Sequence, residues 1–317
     1  MSARILLWLH LKTFLLSMTS STVETRTTAC LNCSSSDFTL FAEEEGVKVV
    51  RCKSCGLVFN NPQIFKRAIA EIYTEDYYKS SFPALGYEDY AANKNDIQHS
   101  FRRRLPHLKK YTHGKSLLDV GCACGFFLEV AAENGYQPEG IDCSEWATHY
   151  ARKNLNFPVH TGLVDTYPWP AGTKYDVITC WDVIEQLPDP KSFFSKIYDL
   201  LADDGILALT VRDINSLMAR AMKTKWIHFR PREKYVYFSK LTVKDFLTRL
   251  GFQVEEMTFQ NAGKDCTFEI LAKKMSHSSR FAGNLASSVF KGLGLWNKTL
   301  YLNFMDSILV IARKGRK

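Results

Sequence analysis

The stretch from Ser116 to Cys143 limits the fold more than any other part of this chain. It reads S-L-L-D-V-G-C-A-C-G-F-F-L-E-V-A-A-E-N-G-Y-Q-P-E-G-I-D-C. The apolar run Leu117 to Val120 has the character of a strand buried on both faces. A small-residue turn follows, with Gly121, Ala123 and Gly125. Phe126 to Asn134 then shows helical patterning closed by Gly135. A second short strand, Pro138 to Ile141, ends at Asp142. Strand, glycine turn, helix and an acid at the tip of the next strand make a nucleotide-binding half. Asp142 lies 17 residues past Gly125 (142 − 125), a spacing that suits a grip on ribose hydroxyls.

The turn narrows the choice of nucleotide. A dinucleotide site wants G-x-G-x-x-G, so that a helix N-terminus can face a pyrophosphate. This chain has G-x-A-x-G, with Asp119 two residues ahead of it. An acid there repels a pyrophosphate and attracts an ammonium. The pattern suits an adenosine ligand that carries a methionine and no phosphate.

At this point the chain resembles the class I S-adenosylmethionine-dependent methyltransferases, in the small-molecule branch typified by ubiquinone-biosynthesis O-methyltransferases. The likeness continues in K-Y-D-V-I-T-C-W-D-V-I-E-Q-L-P-D, Lys174 to Asp189, where Tyr175 to Cys180 form a strand. A helix over Ser192 to Leu201, a turn at Asp203-Asp204-Gly205 and a strand over Ile206 to Val211 follow in the family's order. A later segment, P-R-E-K-Y-V-Y-F-S-K-L-T-V-K-D-F-L-T-R-L-G-F, within Trp226 to Phe252, matches another family element. The resemblance covers about two-thirds of the chain. It implies an α/β fold: a Rossmann-like seven-stranded sheet whose last strand, Asp306 to Ala312, returns antiparallel, with Cys266 to Ala272 as the alternative for that strand.

The same resemblance implies the site. Asp119 and Gly121 shape the turn against methionine and ribose, with Cys122, Ala123 and Gly125 completing it. Asp142 holds the ribose, Cys143 follows it, and Leu163 lies by the adenine, with Asp165 a weaker candidate for its amino group. Trp181 and Asp182 face the methyl end. Two departures stand out. The family's Glu-His pairs are Glu185-Gln186 and Glu233-Lys234 here, so a direct transfer of the family's base is in doubt. Glu185, His228, Glu233 and Tyr235 are the remaining candidates for a general base. His228 also reads as a packing histidine.

Nine cysteines do not make a disulfide framework here. Cys30, Cys33, Cys52 and Cys55 form C-x2-C and C-x2-C, with 18 residues between the pairs. That spacing suits a zinc ribbon, in which two knuckles bring four thiolates onto one tetrahedral ion. Val47 to Arg51 feeds the second knuckle and Gly56 supplies its turn. A site closed by four thiolates is structural rather than catalytic.

The chain of 317 residues divides into a leader (1–27), the ribbon (28–60), a helical connector (61–112) and the catalytic region (113–317). A helical cap is expected at about 261–303. In the connector, Ile69, Ile72, Tyr73 and Tyr77 suggest a helix that covers the cofactor cleft. Ile5 to Leu16 is apolar but too short to span a bilayer. Met18 is the expected start, with a membrane-surface anchor as the alternative. The net charge of +8 is spread, and Arg102 to Arg104, Lys109-Lys110 and Lys314 to Lys317 read as solvated faces. The resulting expectation is a cytoplasmic enzyme that moves a methyl group to a hydroxyl of a sugar, lipid-linked or quinone-like small molecule. Peripheral membrane contact is left open and nucleic acid is disfavoured. RNA methylation and cofactor binding without catalysis are the competing readings.

Overall fold

The computed structural model describes residues 24–44, 46–65, 72–79 and 89–315. The expectations for residues 1–23, for Ile69 and for the last two lysine-tail positions lie outside these. The chain starts with β1 (Glu24–Arg26), β2 (Phe38–Glu44), β3 (Val47–Cys52), β4 (Val58–Asn60) and β5 (Gln63–Phe65). Helices α1 (Glu75–Tyr78) and α2 (Lys94–Tyr111) lead into β6 (Ser116–Val120), α3 (Phe126–Glu133), β7 (Gln137–Asp142), α4 (Glu145–Asn154), β8 (Val159–Thr161) and β9 (Tyr175–Trp181). Next come α5 (Pro190–Leu200), β10 (Leu201–Arg212), α6 (Leu217–Met222), β11 (Val236–Tyr237), α7 (Lys240–Arg249) and β12 (Phe252–Thr258). The chain closes with β13 (Lys264–Thr267), α8 (Phe268–Ser278), α9 (Arg280–Gly292), β14 (Thr299–Leu302) and β15 (Ser307–Lys314).

Seven strands form the central sheet in the order β12-β15-β10-β9-β6-β7-β8. β6 pairs in parallel with β7 and β9, and β10 pairs in parallel with β9. β15 runs antiparallel to both β10 and β12, as the family likeness implies. Helices cover both faces, so the inner strands are buried on both sides and read as continuous apolar runs. The chain reverses its direction of travel across the sheet between β6 and β9. In such sheets the crevice beyond the carboxyl ends of those two strands is the ligand site.

The local chemistry matches these elements. Asp189 caps α5 by accepting from the N–H groups of Lys191 and Ser192, and Pro190 takes the first helical position. Ser144 caps α4 in the same way. Three expectations need correction. The turn expected at Asp203-Asp204-Gly205 lies within β10, which absorbs it as a register shift between Leu201 and Ile206. In the connector, among the described residues, Ile72 to Thr74 are irregular and precede the short α1, so Ile72 and Tyr73 are not helical while Tyr77 lies in α1. The insertion at 261–303 is not wholly helical. β13 and β14 pair antiparallel as its base, and α8 and α9 form a hairpin upon it. Cys266 therefore sits in that small ribbon and not in the main sheet.

Candidate active site

The turn after β6 is the floor of the site. Gly121 and Gly125 adopt φ of +79° and +77°, and Ala123 adopts +47°. At Gly121 a Cβ would lie 2.5 Å from Cγ2 of Val183, so both conformation and space demand glycine. The tip of β7 braces the turn. Asp142 accepts the Ala123 N–H at 2.9 Å with one oxygen and the Ser144 N–H at 2.8 Å with the other. Burial pushes the Asp142 carboxyl up from its ordinary range, and these two backbone bonds oppose that rise. Each oxygen keeps a second lone pair for a ligand hydroxyl.

A cleft of about 540 Å³ opens from this turn. Gly121, Ala123, Asp142, Cys143, Leu163, Trp181, Asp182 and His228 all line it, as does Asp165. Tyr73, Tyr77, Tyr78 and Tyr90, from the connector around α1, form its aromatic cover. The Tyr73 hydroxyl bonds Gln186, which ties the cover to the β9 side.

Asp119, Cys122 and Gly125 do not line the cleft. Asp119 is buried beneath the turn, where it accepts from the Thr179 hydroxyl at 2.6 Å. Burial pushes its carboxyl up to about 8, so at neutral pH it is mostly the neutral acid. Asp119 therefore supports the turn from below and does not itself face the cleft. Cys122 is packed against α4 and Gly125 caps α3. Two of the proposed bases are also out of reach. Glu185 is buried and accepts the Arg212 N–H at 2.8 Å, with the Lys234 ammonium at 3.5 Å. Tyr235 is buried in the main core. Glu185 thus fastens the end of β10 to the following loop and does not line the cleft.

The far end of the cleft is densely charged. Asp182 sits at φ +58°, a left-handed conformation rare for a residue with a side chain. It faces Lys264 at 3.1 Å and Arg212 at 3.4 Å. Burial raises the Asp182 carboxyl, but Arg212, Lys264 and Arg104 outweigh it and hold the group well below the usual range. His228 is pushed down to about 2, first by burial and then by Arg212, Lys234 and Lys264. Its imidazole is neutral across the physiological range, and a group so hard to protonate is a weak base.

Arg104 departs most from the sequence reading. It was grouped with solvated basic residues, yet it is only 2% exposed. Its guanidinium lies 5.1 Å from the Trp181 ring and 5.5 Å from the Phe101 ring. It lines the cleft, and its Nε has no hydrogen-bond partner among the described residues. No ion pair to Arg104 is present among them either. The helical period of α2 could have flagged it, because Arg104 falls on the same face as the buried Ser100 and Leu108, four residues to either side.

The four cysteines converge. Their sulfurs all lie within 4.8 Å of one another, with Cys30–Cys55 and Cys33–Cys52 each at 3.5 Å. Bonds of about 2.3 Å to a tetrahedral ion require sulfurs about 3.8 Å apart, so this donor set fits zinc. Both knuckles close alike. Ser34 N–H donates to Cys30 O and Gly56 N–H to Cys52 O, each at 2.9 Å. Ser34 and Gly56 share the left-handed conformation, at φ +62° and +78°. Burial raises the Cys52 thiol, but hydrogen bonds from the Cys55 and Ser54 backbone and from its cysteine neighbours bring it down to about 7.

The cysteine module also builds the cleft wall. β4 pairs antiparallel with β11, so the small sheet runs β11-β4-β3-β2 across both parts of the chain. The buried Asn60 amide donates to Pro231 O at 2.7 Å and to Lys234 O at 2.9 Å. Those two bonds fix the loop that carries Arg230, Glu233 and Lys234 into the cleft.

A family model described as a methyltransferase domain matches residues 92–257, just over half of the chain. The ubiquinone biosynthesis O-methyltransferase of Thiobacillus denitrificans is 31% identical over 157 residues, 46% of this chain and 67% of that protein. The enzyme of the same name from Actinobacillus pleuropneumoniae is 34% identical over 106 residues, 30% of this chain and 44% of that one. The chain spans about half the length of most of the curated relatives it matches. A solved magnesium protoporphyrin IX methyltransferase from Synechocystis, with bound SAH, aligns at TM-score 0.47 and 16% identity, covering 76% of this chain and 97% of that one. That score is too low to bear on function. The turn, the acid at the tip of β7 and the matched family model agree: the chain belongs to the methyltransferase-domain family, in the class I, S-adenosylmethionine-dependent type.

Proposed function

We propose that the protein moves the methyl group of S-adenosylmethionine to a hydroxyl of a small-molecule acceptor, in the sugar, lipid-linked or quinone-like class. The observation that carries this is one continuous cleft, with the Asp142 turn at one end and the Asp182–Arg212–Lys264 cluster at the other. When bound, the cofactor supplies a sulfonium-activated methyl for in-line displacement, so the protein's task is positioning and exclusion of water. Asp142 would hold the ribose hydroxyls through charge-assisted hydrogen bonds. Leu163 would flank the adenine. Arg104 is a buried cation with no direct ion pair among the described residues, a costly state that an incoming anion would relieve. The methionine carboxylate is the anion that the cofactor brings, and Arg104 would hold it. His228, being neutral, would accept a hydrogen bond from the acceptor hydroxyl and orient its lone pair without taking full charge. The proton would leave to solvent once the ether oxygen has formed.

The four-cysteine centre would hold one structural zinc, whose chemistry is to lock the two knuckles. Through β4 and Asn60 that lock would set the acceptor wall. The test is incubation with methyl-labelled S-adenosylmethionine and cell extract, followed by fractionation. Label in lipid, glycan or small-molecule fractions supports the reading, and label in RNA overturns it. Intact cofactor binding with no label in any fraction would favour a protein that binds without catalysing.

A further inference from the structure

The insertion carries a surface that methyl transfer does not use. On α9 and at the residue that caps it, Phe281, Leu285, Val289 and Leu293 are 79%, 56%, 45% and 67% exposed. Their spacing of four residues puts them on one face. The other face is occupied. Gly283 packs so close to Ser276 that a Cβ would overlap it, Ala286 is buried, and the Phe290 ring meets Phe268 at 4.9 Å. Phe304 and Met305, just past β14, add further exposed apolar surface. A run of this kind on a folded protein marks an interaction site.

The charge pattern says what would cover it. From Phe268 to Lys298 the sequence has five cations, Lys273, Lys274, Arg280, Lys291 and Lys298, against one acid, Glu269, which pairs with Lys273 at 2.9 Å. A second copy packed face to face would set one net positive hairpin against another. An anionic lipid surface meets both features at once. A 13-residue helix is too short to span a bilayer but long enough to lie in its interface. No described helix is long and apolar enough to cross a membrane.

We propose that the α8–α9 hairpin docks on anionic lipid bilayers, with the stripe of α9 at the headgroup–acyl boundary. The hairpin is rooted in β13, whose Lys264 and Asp265 line the cleft, and the exposed Ile227 also lines it. Docking would place the root of the hairpin, and with it the Lys264 end of the cleft, near the membrane. This deepens the lipid-linked branch of the functional reading and rests on that branch.

The test is co-sedimentation of the full chain with phosphatidylcholine vesicles, with and without phosphatidylglycerol. The wild type should pellet with the phosphatidylglycerol vesicles and stay in solution with phosphatidylcholine alone. The double substitution Leu285→Asp, Val289→Asp should weaken that partitioning about tenfold or more. Both proteins carry the same N-terminal stretch, so the difference isolates α9. Binding of S-adenosylhomocysteine by calorimetry should be equal in the two, which separates loss of docking from loss of fold or of the cofactor reading. No pelleting of the wild type, or equal pelleting of both, overturns the proposal. A wild-type dimer by light scattering that the substitutions dissociate, without vesicle binding, overturns it in favour of self-association.

Discussion

Replacing Asp142 with asparagine separates ligand binding from support of the turn. The native carboxylate spends one lone pair of each oxygen on a backbone N–H, from Ala123 at 2.9 Å and Ser144 at 2.8 Å. The outward lone pairs are left for two ribose hydroxyls. Asparagine keeps one acceptor oxygen and presents an amide to the other N–H. It also removes the charge that strengthens both ribose bonds. Hydrogen bonds to a charged group contribute about 1.5–3 kcal/mol each. Losing the equivalent of one to two of them gives about 3 kcal/mol, a loss of roughly a hundredfold in cofactor affinity. Calorimetric titration of S-adenosylhomocysteine into wild type and Asp142→Asn measures this, with the melting temperature of each recorded alongside. Affinity within about twofold of wild type, with the fold retained, would refute the ribose assignment. A pH dependence follows from the same group. Burial raises the Asp142 pKa, so its charge, and with it cofactor affinity, should fall away at a higher pH than for an ordinary aspartate.

Asp119→Asn should stabilise the protein more at alkaline than at acid pH. The folded carboxyl is pushed up to about 8, so the wild type loses stability as pH rises from the unfolded value toward 8, by an upper bound on the order of 5 kcal/mol. Urea unfolding at pH values on either side of that window checks this, and an equal mutant effect in both would refute it. For His228, held near 2, the pH profile of kcat/KM should show no limb at an ordinary histidine value, and His228→Gln should lower the rate without changing the profile's shape. A limb lost in the variant would contradict that. The four-cysteine centre should yield one zinc per chain by elemental analysis. Stripping it, or Cys33→Ser, should lower the melting temperature and raise the acceptor KM more than the cofactor KM, because Asn60 ties the module to the acceptor wall. Arg104→Met should weaken binding of S-adenosylhomocysteine while leaving that of adenosine, which lacks the carboxylate, nearly unchanged.

The parts legible in the sequence were those with short, local rules. The strand–turn–helix at Ser116 to Asn134 depends on neighbours in the chain, and so do the two cysteine knuckles. The antiparallel return of β15 came from the family's order of elements. What the sequence hid was set by distant contacts. Glu185 looked like a catalytic acid by its place after β9, but its partners, Arg212 and Lys234, come from other segments. Asp119 looked like a charged ligand, and its burial, which neutralises it, becomes visible only once the sheet is assembled. Arg104 was lost in a run of three arginines because the charge cluster drew more weight than the helical period. The pairing of β4 with β11 joins residues about 180 apart and leaves no local trace. β13 and β14 were missed because four-residue strands flanking two helices carry little periodicity.

The most direct test is a crystal structure of the protein with S-adenosylhomocysteine. The ribose hydroxyls should lie within hydrogen-bond distance of the Asp142 carboxylate, and the methionine carboxylate should meet the Arg104 guanidinium. A ligand bound elsewhere, or one whose ribose faces away from Asp142, would contradict the assignment of this cleft as the methyl-donor site.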